Sequence, residues 1–246
     1  MIQLEGLCEF PHINVGDDLC SILINYIKTS QMELLDNDIL CIASKVVSLA
    51  EKRIIRLSDI TPSELAINIS QRIPRKDPRV IQLIIDETKD ATGSKLDISG
   101  NYIGAWLPSG LKLTSAGVDR LNNDYISLLP ESPDESARKI GTAIYNSFGV
   151  NVAILIADSD GRIDKRGATQ IAVGSFGLPP LRITKCLDTT TGKTKNNEET
   201  VCDMLAAASA LIMGQRGTNK PIVRVRGVSY KFDKEISIKT AIAKND

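Results

Sequence analysis

A continuous apolar segment, VAILIA at residues 152–157, is the feature that most constrains how this chain folds. The segment is rich in β-branched residues and is bounded by Gly149 before it and Gly161 after it. This pattern predicts a strand that is buried on both faces. We therefore expect a central strand in the mixed sheet of a protein built from both helices and strands.

Four acidic and small residues, DSDG at 158–161, follow that segment. We expect Asp158 and Asp160 where the central strand runs out into a loop, the place where such sheets usually present ligand-binding groups. A hard cation is the first ligand that this arrangement suggests. The alternative is a simple turn, because Asp, Ser and Gly all favour turns through local hydrogen bonds. These residues alone leave both interpretations open.

Charge and length exclude several classes of protein. The chain has 246 residues, of which 42% are hydrophobic, so it is long enough for one large domain or two modest ones. Thirty Lys and Arg residues balance thirty Asp and Glu residues, which argues against a nucleic acid or a membrane surface as partner. No apolar run approaches the roughly 20 residues of a membrane span, and the first residues show no signal-peptide pattern. We therefore expect a cytoplasmic protein.

The cysteine and histidine content argues against a zinc site and against hydrolase chemistry. Five cysteines are scattered along the chain without paired spacing, and we interpret them as free thiols in the core. They are Cys8, Cys20, Cys41, Cys186 and Cys202. His12 is the only histidine, and no G-x-S-x-G motif occurs, so a Ser-His-Asp or Cys-His mechanism is set aside.

Periodicity and capping signals predict the remaining elements. The predicted strands cover residues 2–10, 38–43, 169–174 and 222–227, with short strands between 96 and 113. Predicted helices run from Leu19 to Ile27 with Asp17 or Asp18 as cap, from 62 to 73, from 77 onward, from a capping box at Ser132 to Phe148, and over 198–213 up to Gly214. Residues 188–197 are predicted to be an exposed polar loop, and residues 215–217 a flexible turn.

Several polar pairs are weak candidates for a site. Ser44 and Lys45 follow the second predicted strand, where a hydroxyl and a cation could meet a phosphate or simply be solvated. Asp119 and Asn122, three residues apart, could present a carboxylate and an amide to a ligand from one side of a turn. Neither pattern is specific by itself.

Two arginines follow the acidic segment. Arg162 and Arg166 lie close in sequence to Asp158 and Asp160, an arrangement that suits an anionic substrate held beside a metal ion. Opposite charges on a surface loop are also commonplace, so a purely structural role stays open.

The order of short motifs resembles the coenzyme F-420-0:L-glutamate ligases over nearly the whole chain. The matching segments are GDDL at 16–19, DILCIASKVV at 38–47, PS at 62–63, AGVD at 116–119 with Asn122, LP at 129–130 with PDESA at 133–137, Asp158 with GR at 161–162, RG at 166–167 with IAVG at 171–174, and DMLAAASALIMGQ at 203–215. No single motif is decisive, but so many short matches in the same order are specific.

The resemblance implies an activity and an architecture. In that family GTP and two divalent cations, Mg²⁺ or Mn²⁺, drive amide formation between a deazaflavin coenzyme and L-glutamate through an acyl phosphate. K⁺ is a further expected cofactor. The implied fold is an α+β fold peculiar to the family, with mixed sheets and packed helices in two intimately joined subdomains. We expect residues 1–246 to form this one domain and the chain to form an intertwined homodimer.

The resemblance also implies roles for individual residues. The expected metal ligands are Asp119, Asp158, Ser159 and Gln215. The expected nucleotide-binding residues are Phe10, Pro11, His12, Ile13, Ser44, Lys45, Asn122 and Gln215. The expected catalytic residues are Asp119 and Asp158, together with Arg162 and Arg166.

This sequence departs from the family pattern at several places. Leu49 stands where the family has a lysine, so one phosphate-side cation is lost unless Lys45 or Lys52 replaces it. Ser115 and Leu121 replace a family asparagine and serine, and the family's aromatic residue is missing from the DSDG segment. Two alternatives therefore stay open. One is the same chemistry on another acid, such as a folate, and the other is a non-catalytic nucleotide-binding paralogue.

Overall fold

The computed structural model describes residues 1–187, 190, 192–215 and 219–243, and these residues form an α+β fold. The helices are α1 (Leu19–Thr29), α2 (Ser44–Ala50), α3 (Glu64–Arg72), α4 (Pro78–Glu87), α5 (Pro133–Phe148) and α6 (Val201–Met213). The strands are β1 (Gln3–Gly6), β2 (Ile39–Ala43), β3 (Ile54–Arg56), β4 (Leu96–Ser99), β5 (Tyr102–Trp106), β6 (Lys112–Thr114), β7 (Asp119–Arg120), β8 (Tyr125–Ser127), β9 (Ala153–Gly161), β10 (Ala168–Phe176), β11 (Leu181–Leu187), β12 (Thr194–Thr200) and β13 (Ile222–Arg226).

The main sheet has five strands in the order β1-β13-β2-β9-β10, and the predicted central strand is confirmed. β2 and β9 pair in parallel, and the other neighbouring strands pair antiparallel. Side chains of β9 alternate between two hydrophobic cores. Ile154 and Ile156 join the core that contains residues of α1 and α5, whereas Leu155 and Ala157 join the core that contains residues of α6.

Two glycines allow α5 to lie very close to the sheet. A Cβ atom at Gly141 would be 2.5 Å from the ring of Phe176, and one at Gly174 would be 2.5 Å from the backbone carbon of Pro133. A larger side chain at either position would therefore push the helix away from β10. This close packing holds β10 and its neighbour β9 in place.

A separate hydrophobic core lies among α3, α4 and two three-stranded sheets, β3-β8-β7 and β4-β5-β6. Ile81, Ile84, Ile103 and Ile126 are completely buried there. The division of the chain into two subdomains remains a prediction.

The five predicted helices begin close to the expected residues, but α2 was not predicted and one predicted cap is wrong. Asp18 accepts a hydrogen bond from the backbone N–H of Ser21 and caps α1. Ser132 makes no capping hydrogen bond at the start of α5. The carboxylate of Asp134, in the first turn, instead accepts hydrogen bonds from the backbone N–H groups of Ser175 and Ile238. The first turn of α5 is therefore tied to β10 and to the C-terminal segment.

Long-range strand pairing corrects several predicted boundaries. The first strand ends at Gly6 and does not extend to residue 10. Residues 198–200, predicted to be helical, and residues 194–197, predicted to be a loop, belong to β12, which pairs with β11 over its whole length. Backbone pairing between strands can outweigh a polar composition. Residues 188, 189 and 191 of that loop, and 216 and 217 of the predicted turn, lie outside the described residues.

All five cysteines are free thiols, as predicted, but not all of them lie in the core. Cys41 and Cys202 are buried, Cys20 is half-buried, and Cys8 and Cys186 are exposed. Cys186 is exposed because it lies in β11, in which every residue after Leu181 is exposed. Among the described helices, none is long and apolar enough to span a bilayer.

Candidate active site

The acidic segment after the central strand is neither a turn nor a loop, and both sequence interpretations of its local structure are wrong. Residues 158–161 continue β9, with Asp158 paired to Ile171 and Gly161 paired to Ala168 of β10. The turn falls later, between β9 and β10. Backbone hydrogen bonds to β10 outweigh the local turn preference of these residues.

The end of β2 exposes one edge of β9 at Asp158. The two strands are in register at Ala43 and Ala157, so the next residues, Ser44 and Asp158, are neighbours. Ser44 begins α2, which leaves the sheet at this point. Its Oγ donates a 2.6 Å hydrogen bond to Oδ1 of Asp158. Asp158 thus lies at the point where the sheet opens, as expected for a ligand-binding group.

A cavity of about 540 Å³ lies at this opening. The predicted site residues that line it are Phe10, Pro11, His12, Ile13, Ser44, Lys45, Asp119, Asp158, Ser159 and Gln215. They come from five separate parts of the chain: the loop before α1, the start of α2, β7, β9, and the residues after α6. The fold therefore brings most of the predicted site together.

Asp158 has an unusual electrostatic environment. Its side chain is only 8% exposed, and this burial raises its pKa to about 7. The negative charge of Asp119 raises the pKa further, whereas the hydrogen bond from Ser44 and the charge of Lys45 oppose the rise. A buried carboxyl with such a pKa is short of positive charge, so a cation beside it would stabilise its ionised form.

A strained turn directs Asp119 toward the cavity. Ser115 and Ala116 both have φ values of 55°, in the left-handed region that non-glycine residues rarely adopt. The ammonium group of Lys76 donates a 2.9 Å hydrogen bond to the hydroxyl of Ser115, and burial lowers the pKa of Lys76. Asp119 follows two residues after this turn's glycine and forms a 3.2 Å ion pair with Lys45. Strain of this kind often occurs at functional sites.

Three predicted site residues lie outside the cavity. Arg162 forms two hydrogen bonds with the carboxylate of Asp164, at 2.8 and 2.9 Å, and both side chains are exposed. Arg166 is exposed in the same turn. The side-chain oxygen of Asn122 accepts hydrogen bonds from the backbone N–H groups of residues 124 and 125 and stabilises a local turn. Their functional roles remain predictions.

The structure also places the departures from the family pattern. Leu49 lines the cavity, whereas Lys52 packs against Gly16 and does not line it. Lys45 lines the cavity but is paired with Asp119. Of the two lysines that could replace the lost cation, only Lys45 is therefore in position.

Sequence reasoning missed three polar residues of the cavity: Gln170, Asn219 and Lys220. Lys220 lines it and forms no ion pair with any residue that the structure describes. It is brought there because the N–H of Ala43 donates to the carbonyl of Pro221, a pairing that the sequence does not reveal. Gln170 also lines the cavity, although the sequence pattern predicts only that it lies in a strand. A polar amide within an apolar strand was the available signal.

The acidic part of the cavity is small. Within the described part of the chain, no group of three or more His, Cys, Asp or Glu residues is arranged to hold a metal ion. The carboxylates that line the cavity are Asp119 and Asp158, accompanied by hydroxyl and amide groups. Such a cavity, with a few converging polar groups and a perturbed carboxyl, is typical of an enzyme that binds a charged small molecule.

Comparison with known proteins identifies the family. The family model described as F420-0:Gamma-glutamyl ligase matches residues 8–227. The coenzyme F420:L-glutamate ligase of Methanothermobacter thermautotrophicus is 34% identical over 232 residues, which cover 93% of this chain and 90% of that protein. The ligases of the same name from Methanosarcina mazei and Methanocaldococcus jannaschii are each 34% identical, over 94% of this chain and 88% and 90% of those proteins.

The chain therefore belongs to the F420-0:gamma-glutamyl ligase family, as the order of its motifs predicted. It is an enzyme of the ligase class that forms an amide bond.

Proposed function

We propose that this protein is a GTP-dependent and divalent-cation-dependent ligase that adds L-glutamate to the terminal carboxylate of coenzyme F-420-0. The observation that carries the proposal is the convergence of Asp119 and Asp158 on one cavity of about 540 Å³. Cavities that bind small molecules commonly measure about 300–1,000 Å³. The names of the relatives support the choice of substrate.

The oxygen atoms of the cavity suit Mg²⁺ or Mn²⁺. The carboxylates of Asp119 and Asp158, the hydroxyl of Ser159 and the amide of Gln215 would hold the cations, since such hard oxygen ligands are the ones that these ions prefer. Asp158 supports this fit, because its raised pKa of about 7 reflects a buried carboxyl whose burial the charge of Lys45 offsets only in part. When bound, the cations would neutralise the charge that develops on the phosphates.

The remaining walls suit a nucleotide triphosphate. His12 and its neighbours in the loop before α1 form one wall, where the base and sugar of GTP would bind. We assign the phosphate side to Lys45 and Lys220, both of which line the cavity. Because Lys45 is already paired with Asp119, Lys220 is the better placed to supply the positive charge that Leu49 does not.

The proposed reaction has two steps. A carboxylate oxygen of the coenzyme attacks the γ-phosphorus of GTP, the bond to the bridging oxygen breaks, and GDP leaves. The amine of L-glutamate then attacks the acyl carbon, the carbon–oxygen bond to phosphate breaks, and inorganic phosphate leaves as the amine loses a proton. The residues of the cavity bind and orient the reactants in both steps, which is the main source of catalysis in phosphoryl transfer.

We also propose that the enzyme is a homodimer. The β11-β12 hairpin is a two-stranded ribbon with exposed Ile183 and Leu187, and such a ribbon is marginally stable alone. On α6, Met204 is exposed and Leu211 is 88% exposed. A second copy could cover these apolar side chains. Light scattering should then give about 53 kDa, twice the chain mass of 26.7 kDa. A monodisperse folded monomer at low micromolar concentration would refute the dimer.

The ligase proposal is tested with purified protein, GTP, Mn²⁺, L-glutamate and coenzyme F-420-0. Mass spectrometry should show the coenzyme gaining a glutamyl residue while GDP and phosphate are released. Asp119→Asn should abolish turnover, whereas Asp124→Asn, at an exposed position, should not. Glutamylation of a folate, without glutamylation of the coenzyme, would favour the alternative that the enzyme performs the same chemistry on another acid. GTP and Mn²⁺ that raise the melting temperature without any turnover would indicate a non-catalytic nucleotide-binding protein.

A further inference from the structure

One buried polar atom at the cavity has no partner within the protein. Gln170 lies in β10 with 7% of its surface exposed, and it lines the cavity. Its Oε1 accepts no hydrogen bond from any described residue. A buried carbonyl oxygen without a partner destabilises a folded protein, so such atoms are rare, and a bound ion or water beside them is one physical explanation.

The neighbours of Gln170 are also oxygen-bearing groups. It pairs directly with Ser159 of β9, so the two side chains lie side by side at the cavity. Gln215, on the wall formed after α6, also lines the cavity. The side chain of Asp158, the adjacent residue on β9, leaves the opposite face of that strand and lines the cavity from the edge that the end of β2 exposes. Hydroxyl and amide oxygens of Ser159, Gln170 and Gln215 thus line the same cavity as the carboxylate of Asp158. A positive charge satisfies all of these oxygens at once, whereas a single N–H donor satisfies only one or two.

We propose that Oε1 of Gln170 is an additional direct ligand of the divalent cation that binds beside Ser159. This inference rests on the proposed function, because it assigns a further residue to the cation which that function requires. Asp119 and Asp158 supply at most part of the six-fold coordination of Mg²⁺, so positions remain for phosphate, water and a neutral oxygen of the protein. Gln170 supplies such an oxygen and gains the partner that it lacks.

Two substitutions at this position separate the possible roles. Gln170→Met removes the carbonyl oxygen but keeps an unbranched side chain of similar length. Gln170→Glu keeps an oxygen at the same distance from the backbone and adds a negative charge. Gln71→Met, at an exposed position of α3, is the matched control.

Binding is measured with Mn²⁺ as the probe, from the electron paramagnetic resonance signal of the free ion, with and without a non-hydrolysable GTP analogue. The melting temperature is measured separately in the presence of a chelator. Gln170→Met should weaken Mn²⁺ binding about tenfold or more and should raise the melting temperature of the ligand-free protein. Gln170→Glu should bind Mn²⁺ at least as tightly as the unchanged protein. Gln71→Met should alter neither quantity.

Unchanged Mn²⁺ affinity in Gln170→Met would overturn the assignment. Weaker binding of the GTP analogue with unchanged Mn²⁺ affinity would also overturn it, because Oε1 would then accept a hydrogen bond from the nucleotide. Should Gln170→Met fail to fold, a lower Mn²⁺ affinity in Gln170→Glu decides against the proposal. If the protein without substitutions binds neither Mn²⁺ nor the GTP analogue, the proposed function is refuted as well. If that protein and Gln170→Met both bind normally, only the assignment of Gln170 is refuted.

Discussion

The substitution Asp158→Asn should stabilise the ligand-free protein at neutral and higher pH, and the gain should grow as the pH rises to that range. Burial and the charge of Asp119 give Asp158 a pKa of about 7, compared with 3.8 for an ordinary Asp. The folded protein therefore binds this proton more tightly than the unfolded chain does. The resulting stabilisation is fully present below about pH 4 and is lost as the pH rises through about 7.

The size of the effect follows from the difference between the two pKa values. Each pKa unit corresponds to about 1.4 kcal/mol, so the ionised carboxylate costs roughly 4 kcal/mol above pH 7. Asn at this position does not titrate and can still accept the hydrogen bond from Ser44. Its extra N–H groups add a penalty of about 1–3 kcal/mol if they are unpaired, but that penalty does not change with pH.

The assay is urea unfolding at several pH values between 5 and 8.5, with a chelator present and the protein concentration fixed. The free energy of unfolding of Asp158→Asn, minus that of the unchanged protein, should rise by roughly 2–3 kcal/mol between pH 5 and 7 and then level off. Asp124→Asn, at an exposed position, is the control and should show no such rise. A difference that stays flat across this range would refute the electrostatic reasoning. In the presence of Mn²⁺, Asp158→Asn should lose metal binding, since it removes a ligand charge.

Three further substitutions test other parts of the structure. Ser44→Ala removes the hydrogen bond that lowers the pKa of Asp158, so more of this carboxyl should be protonated at pH 7. Mn²⁺ binding should therefore weaken at pH 7 and recover at higher pH. A pH dependence of Mn²⁺ binding identical to that of the unchanged protein would contradict this. Asp38 is only 1% exposed, and its carboxylate accepts two 2.7 Å hydrogen bonds from Arg226. Asp38→Asn breaks this ion pair, so urea unfolding should show a loss of stability of about 3–5 kcal/mol. A loss below about 1 kcal/mol would contradict this. Gly174→Ala forces a Cβ atom against Pro133 and should lower the stability by about 1–3 kcal/mol. Gly161→Ala is the control and should cost less, because the nearest atom to its new Cβ would be 3.5 Å away. Equal losses of stability in the two variants would argue against the close approach of α5.

Local patterns in the sequence were sufficient for features that depend on neighbouring residues. The apolar run at 152–157 predicted a strand buried on both faces, and all six residues from 153 to 158 of β9 are indeed buried. The start of α1, with Asp18 as one of its two expected caps, and the start of α3 close to residue 62 were predicted correctly, because a cap bonds to N–H groups only a few residues away. Gly214 likewise ends α6.

The same kind of reasoning was wrong where distant segments compete with local preference. Residues 158–161 have the composition of a turn, yet pairing with β10 keeps them in a strand. The polar residues of β12 are extended because β11 lies beside them. A strand depends on its partner, which the sequence of one segment does not reveal.

Convergence of the site was decided by tertiary structure. Ser44 and Asp158 are 114 residues apart, and they meet because β2 and β9 run parallel in one particular register. A shift of that register by one residue would turn the side chain of Asp158 to the other face of the sheet. The sequence by itself thus identified the oxygen-bearing residues of the site, because the order of its motifs resembles that of a known family. Helices pack on both faces of the sheet and fix this register. In this register Asp158 is buried, which raises its pKa, and the side-chain oxygen of Gln170 has no partner among the described residues. Only the tertiary structure decides these properties.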